Sequence, residues 1–353
     1  MSPSKASVLS VGRAFPPFHY TQEELLGAFI EHWGGHFHNP RRLEQLHRNV
    51  LVGARFLSLP IDGYVGLTSF SEANRIYREV ATDVGEAAIR DALDRAGLTP
   101  KDIDHLFFVS VTGVATPSID ARLVNRLGFR RDIKRTPIFG LGCVAGVAGT
   151  ARAADYLAGH PDQIALLLSV ELCSLTLQRQ DVSIANLISS GLFGDGAAAL
   201  ILGGSARAQH TAPRIRDSLA TFYPDTEDLM GWDIGSDGFR VVLSPDVPEM
   251  ARKHLGDDVQ RFLSRHSLSM TDIDVWVSHT GGPKVLEAIG SALDVDESAL
   301  ELSWESLKTF GNLSSASVLL VLREALERKQ GTHALMSAMG PGFCSELVLL
   351  DWS

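Results

Sequence analysis

Cys143 sits in GLGCVAGVAG, residues 140–149, a stretch built almost wholly from glycine, alanine and other small apolar residues. Glycine ahead of it permits a tight turn. Small residues behind it let a helix start deep inside the protein. A thiol at such a helix end meets unpaired N–H groups and a partial positive charge, which favour the thiolate. The same residue reads equally as a core cysteine, since free cysteine is among the most buried residue types. His279 leaves the apolar run VWVSH into TGGP. That turn can deliver an imidazole to a cleft for proton transfer or for hydrogen bonding to an oxyanion. Asn312, in FGNLSSAS, precedes a helix-like stretch and reads as an N-cap or as an amide donor. Together a thiol, an imidazole and an amide suit acyl transfer: the thiolate takes an acyl group from a thioester. The other two stabilise the enolate formed when a malonyl unit loses CO₂. His32, His36, His38 and His47 cluster in EHWGGHFHNPRRLEQLH. Their spacing enforces no metal geometry, so no metal site is expected there, but an exposed helix–loop–helix.

What positions the first three residues is a duplication. LTPKDIDHLFFVSVTG (98–113) matches LSMTDIDVWVSHTG (268–281), with Asp102-Ile103-Asp104 over Asp272-Ile273-Asp274 at an offset of 170. Gly142-Cys143 then lies over Gly311-Asn312 at an offset of 169. Each copy reads helix, strand, turn, helix, strand. HLFFVSV and VWVSH are short apolar runs that read as buried strands, while VAGVAGTARAADYLAG and LSSASVLLVLREALERK read as helices. The reading is two α/β halves, 1–205 and 206–353, with the polar GGSARAQHTAPR at the junction. Cys143 and Asn312 then occupy equivalent strand-to-helix turns.

Composition narrows the class. The chain has 353 residues, a formal net charge of −10 and no long Lys/Arg block, which disfavours nucleic acid as a partner. Three cysteines without CxxC spacing point to a reducing compartment with neither disulfides nor zinc. MSPSKASVLSVGRAFPP lacks the apolar core of a secretory signal. No apolar run approaches the ~20 residues of a membrane span. A cytoplasmic enzyme is the expectation.

At GCVAG, GLFGDGAAAL (191–200), HTGGPKVL (279–286), GNLSSAS (311–317) and MGPGF (339–343), the chain resembles the bacterial type III polyketide synthases. These are the chalcone-synthase-like branch of the thiolase superfamily. The resemblance implies a five-layered αβαβα fold from two duplicated halves and a homodimer. It implies that Cys143 carries the starter and the growing chain, and that His279 and Asn312 assist decarboxylative condensation with malonyl-CoA. Acyl-CoA and malonyl-CoA are then the substrates, and no cofactor is implied. Phe193 matches a gatekeeper. The second gatekeeper position falls on Val241, which is not aromatic, with Phe239 two residues away on the same strand face. Thr116 matches the residue that reaches into the partner's cavity. Cys173, Thr176 and Ser314 match cavity-lining positions, and Gly340, Pro341 and Gly342 match a loop that shapes the cavity. Arg42, Arg48, Arg55 and Lys284 are candidates for CoA contacts.

The small Thr116 and Val241 favour a fatty acyl starter and an alkylpyrone or alkylresorcinol-type product. The alternatives are a tetrahydroxynaphthalene-type synthase fed by malonyl-CoA alone, a single condensation like that of ketoacyl-ACP synthase III, and a non-catalytic dimeric acyl-binding homologue. TGGPK after His279 and the MGPGF loop favour the polyketide branch over the ketoacyl-ACP synthase.

Overall fold

The structure, a computed structural model, describes residues 6–33, 40–208, 211–328 and 330–352. Nine strands form one continuous sheet. Its order is Val275–Ser278, His333–Gly340, Cys344–Asp351, Arg214–Phe222, Ala6–Ala14, Asp195–Gly204, Ile164–Leu172, His105–Val109, Lys134–Ile138. Two halves are visible in that order. They meet at one short antiparallel join, Ala6 with Ile215 and Ser7 with Arg214. In each half the strand after the duplicated DID sequence runs parallel to a neighbour: His105–Val109 beside Ile164–Leu172, and Val275–Ser278 beside His333–Gly340.

Both halves use the DID residues in the same way. Asp102 closes a capping box by accepting from the Thr99 N–H at 2.8 Å and its hydroxyl at 2.7 Å. Asp272 accepts from the Ser269 N–H and hydroxyl, both at 2.7 Å. Two residues on, Asp104 accepts from the Ile164 N–H at 2.8 Å and Asp274 from the Thr332 N–H at 2.6 Å. The first aspartate thus ends a turn, and the second ties the coming strand to the next one.

The layers follow from where apolar side chains are placed. Ala145–Ala158 and Ser317–Arg328 are the central helices, and together with the inner faces of both half-sheets they form one core. The long helix Phe70–Ala96 covers the outer face of the first half. Ser69 caps its start by accepting from the Glu72 N–H, and Gly97 ends it in the left-handed conformation at φ 64°. Val247–Ser264 and Pro283–Leu293 cover the outer face of the second half. The result is helix, sheet, helix, sheet, helix, the five layers that the family resemblance implies.

No helix among the described residues is long and apolar enough to cross a membrane. The histidine cluster departs from expectation. His47 lies on the Pro40–Asn49 helix but is buried, with Nε2 3.1 Å from the Ser190 hydroxyl. Its helix packs its apolar side against Ile184–Leu192, which buries the imidazole with it. His32 is half-buried near the end of Gln22–Trp33, and His36 and His38 lie outside the described residues. Among the described residues there is no cluster of His, Cys, Asp or Glu suited to a metal ion.

Candidate active site

The two central helices begin at the same place. Gly142, at φ 55°, opens the turn Gly142–Val144, and Ser314, at φ 46°, opens the matching turn Ser314–Ala316, so the expected pairing of Cys143 with Asn312 is corrected: the structure sets Cys143 over Ser315, and Gly311, at φ 72°, ends the preceding helix Glu301–Phe310. A side chain at Gly142 would lie 2.7 Å from the Pro341 ring, and one at Gly311 2.7 Å from the Leu192 carbonyl. One turn into the first helix, a Cβ on Gly146 would lie 2.3 Å from the Ser315 carbonyl. These absent side chains let the helix starts abut, and they bring Cys143 Sγ to 3.7 Å from the Ser314 hydroxyl.

Cys143, His279, Asn312 and Ser314 line one cavity of about 310 Å³. His279 is buried at the end of its strand, and its backbone N–H donates to the Ser337 carbonyl at 2.9 Å. Neither ring nitrogen has a protein partner. Asn312 is fixed more tightly. Its Oδ1 accepts from the Ser314 N–H at 2.8 Å. Its backbone N–H donates to the Leu192 carbonyl at 2.9 Å, and its carbonyl accepts from the Gly194 N–H at 3.0 Å. The side-chain NH₂ remains as a donor.

Burial sets the protonation states. It pushes the Cys143 thiol up to about 12, and the buried Glu171 adds to the effect. It pulls His279 down to about 4, with no charged neighbour contributing. The expectation of a thiolate favoured by the helix end is therefore corrected: in the resting site the cost of burying the anion outweighs the helix end. The resting pair is a neutral thiol and a neutral imidazole. Glu171 itself is pushed up to about 7 by burial, and accepts from the Val111 N–H at 3.1 Å, the Thr112 hydroxyl at 3.0 Å and the Ser315 hydroxyl.

Phe193, Cys173, Val241 and Pro341 also line this cavity. Gly340 ends its strand against the Val144 backbone, and Gly342 follows Pro341 in the turn. Thr176 lines a second cavity of about 90 Å³ instead. Thr116 is exposed on the single chain and lines neither cavity.

The basic candidates separate. Arg42 and Lys284 are exposed. Arg48 is exposed but ion-paired to Glu23 at 3.0 Å and Glu44 at 3.1 Å. Arg55 is no surface residue at all: it is 3% exposed, and its guanidinium donates to the Ser190 carbonyl at 2.8 Å and the Phe193 carbonyl at 2.7 Å. That burial removes it from the candidates for the CoA phosphates.

Sequence reasoning missed Trp232. It faces Val241 directly across the Met230–Gly235/Gly238–Leu243 hairpin, and both line the cavity. Phe239 packs on the Trp232 ring at 5.8 Å and on Phe70 at 5.6 Å, and does not line the cavity. The aromatic missing at 241 is thus supplied from the opposite strand, buttressed by Phe239. The signal was present: alternating residues around the GSDG turn pair 232 with 241.

A thiol, an imidazole and an amide meeting where two duplicated halves abut define a thiolase-like acyltransferase. Residues 1–206 match the N-terminal domain of chalcone and stilbene synthases and residues 214–351 the C-terminal domain. The chain belongs to that family and is a type III polyketide synthase. It is 50% identical to the 1,3,6,8-tetrahydroxynaphthalene synthase of Streptomyces peucetius subsp. caesius, covering 98% of this chain and 93% of that one. It is 30% identical to the 3,5-dihydroxyphenylacetyl-CoA synthase of Streptomyces toyocaensis, covering 99% and 91%. The crystal structure of the 1,3,6,8-tetrahydroxynaphthalene synthase of Streptomyces coelicolor A3(2), a bacterial type III polyketide synthase, superposes with a TM-score of 0.93 at 31% identity, covering 99% of each chain.

Proposed function

We propose that this enzyme builds a tetrahydroxynaphthalene-type aromatic from malonyl-CoA alone. The observation that carries the reading is the wall of Trp232, Val241, Phe193 and Cys173 beside the Cys143 cavity. It argues against the fatty acyl starter, because the small side chain at Val241 is faced by an indole. The relatives support the same choice. A naphthalene ring has ten carbons, which five two-carbon units supply with no alkyl tail.

In this reading Cys143 attacks the starter thioester while His279, neutral at rest, takes its proton. CoA leaves as a thiol, using that proton. A second malonyl-CoA then places its thioester carbonyl between His279 and the Asn312 amide. Their hydrogen bonds stabilise the enolate as CO₂ departs. The enolate carbon attacks the Cys143 thioester, the C–S bond breaks, and the lengthened chain passes to CoA before reloading. Every step is acyl or proton transfer, so the proposal includes no cofactor. Lys284 and Arg42 are the remaining candidates for the CoA phosphates. The chain acts as a cytoplasmic homodimer, with Thr116 at the partner's cavity.

The test supplies purified protein with malonyl-CoA as the sole substrate, and follows CO₂ release and product mass. A naphthalene-type pentaketide is expected. Product that forms only when a long-chain acyl-CoA is added overturns the choice of starter. Product that forms only with acyl carrier protein overturns the CoA reading. No CO₂ release from folded dimer overturns catalysis itself.

A further inference from the structure

The second cavity shares Cys173, Phe193, Trp232 and Val241 with the first, so it lies one layer of side chains away from the Cys143 site. Much of its lining is apolar, yet Arg55, His47 and Ser189 also form it. All three are more than nine-tenths buried. Each has an atom with no hydrogen-bond partner: Arg55 Nε, His47 Nδ1 and the Ser189 hydroxyl.

Such groups are expensive to leave unpaired. The guanidinium is the extreme case. It donates through Nη1 to two backbone carbonyls, and no carboxylate among the described residues pairs with it. Asp195 is the nearby acid that favours its charge. That carboxylate is already occupied by the Ser58 N–H at 2.7 Å, the Ser58 hydroxyl at 2.5 Å, the Ser174 N–H at 2.8 Å and the Ser174 hydroxyl at 2.5 Å. Ser190 has one hydrogen and two acceptors in reach, the Leu187 carbonyl at 2.8 Å and His47 Nε2 at 3.1 Å. When it turns to Nε2, the imidazole hydrogen sits on Nδ1 and becomes a third donor. In that tautomer the cavity offers a cation and two neutral donors.

We propose that this second cavity recognises a carboxylate: Arg55, His47 and Ser189 hold the free carboxyl end of a malonyl-primed polyketide chain as it lengthens from Cys143. The proposal rests on the malonyl-primed reading above and names what selects the starter. A carboxylate is acceptor-only and matches three unpaired donors. An alkyl terminus would keep all three unpaired, so the site discriminates by the groups it leaves unsatisfied. The pocket also separates the fates of two like groups. A carboxylate beside Arg55 keeps its charge paired and localised, which opposes loss of CO₂. One beside His279 has no cation to hold it, and its electrons can move into the enolate.

Propionyl-CoA tests this, because it is malonyl-CoA with a methyl group where the free carboxylate stands. Protein is given malonyl-CoA and propionyl-CoA in equal amounts, and products are separated by mass. Wild-type product is expected to be almost wholly malonyl-primed. Ser189→Ala, His47→Phe and Arg55→Lys should each raise the propionyl-primed share about tenfold or more, the loss expected for one charge-assisted hydrogen bond. Arg55→Lys keeps the charge and loses the fork. Thermal melting identifies which variants are folded, and Ser189→Ala is the least disruptive. A wild-type product ratio in the folded variants overturns the carboxylate pocket while leaving malonyl priming intact. A wild-type enzyme that itself prefers propionyl-CoA overturns malonyl priming, and the pocket with it.

Discussion

The two central helices begin in matching turns, Gly142–Val144 and Ser314–Ala316, and carry different chemistry at their starts. Gly142 and Ser314, at φ 55° and 46°, open those turns, and Asn312 stands two residues ahead of the second. In the first half the next side chain is a thiol with a hydroxyl 3.7 Å away. In the second half the reactive group stands ahead of the turn: an amide whose oxygen is already taken by the Ser314 N–H and whose backbone is tied on both sides to the Phe193 segment. The duplicated turns bring the two helix starts together, and the residues around them supply the roles. One half holds a group that must change its bonds. The other holds a donor that must not move. Pre-organisation of that kind is what stabilises a developing oxyanion at low reorganisation cost.

The comparison breaks hardest at the thiol. Cys143→Ala should remove polyketide product, at least 10³-fold by chromatography, because it removes the thiol that carries the acyl chain. Cys344→Ser should retain it, since Cys344 lies outside the cavity lining and contacts the Pro341 carbonyl at 3.4 Å. Retained chain extension in Cys143→Ala would end the assignment.

Next comes the amide. Asn312→Asp keeps the oxygen that accepts from Ser314 and loses the NH₂. CO₂ release should fall about 10²–10³-fold with little change in melting temperature. Full activity would mean that Asn312 serves only as a cap.

The shared packing gives the third effect. Gly146→Ala forces a methyl group against the Ser315 carbonyl between the two helix starts, 2.3 Å away. Chemical denaturation should show a loss of about 1–3 kcal/mol. A neutral result would mean that the helices can part without cost.

Protonation sharpens the contrast between the residues of the site. His279 has its pKa lowered to about 4, so it stays neutral as pH falls from 7.5 to 5.5. Decarboxylation should then show no decline with a midpoint near 6.5. Cys143 is raised to about 12, so its alkylation rate should climb about tenfold per pH unit through pH 9 without a plateau. A plateau near pH 8 would restore the helix-end thiolate.

The smallest expected effect is also the most symmetrical. Asp102→Ala and Asp272→Ala each open one capping box, and each should cost about 0.5–2 kcal/mol. Very unequal costs would show that the DID repeat is a likeness of letters and not of function.

Much was legible before any coordinates. The offsets of 170 and 169 marked the duplication, and small residues around Cys143 marked a helix that could be buried whole. Apolar runs of β-branched and aromatic residues marked the inner strands, because a strand covered on both faces has no polar side to show. Those signals are local, fixed by backbone conformation and side-chain size. Three features were not local. Arg55 looks like any cation near a basic helix, and only the packing of Ser190 and Phe193 around it makes it internal. His47 looks exposed until its helix docks on Ile184–Leu192. Val241 looks like a gap in the wall until the hairpin places Trp232 across from it. The sequence by itself determined which residue types stand near the two helix starts and that the two halves are duplicated. Only the tertiary structure decided the charge on the thiol, the filling of the wall and the burial of the cation, because desolvation and cross-strand contact depend on neighbours far away in the chain.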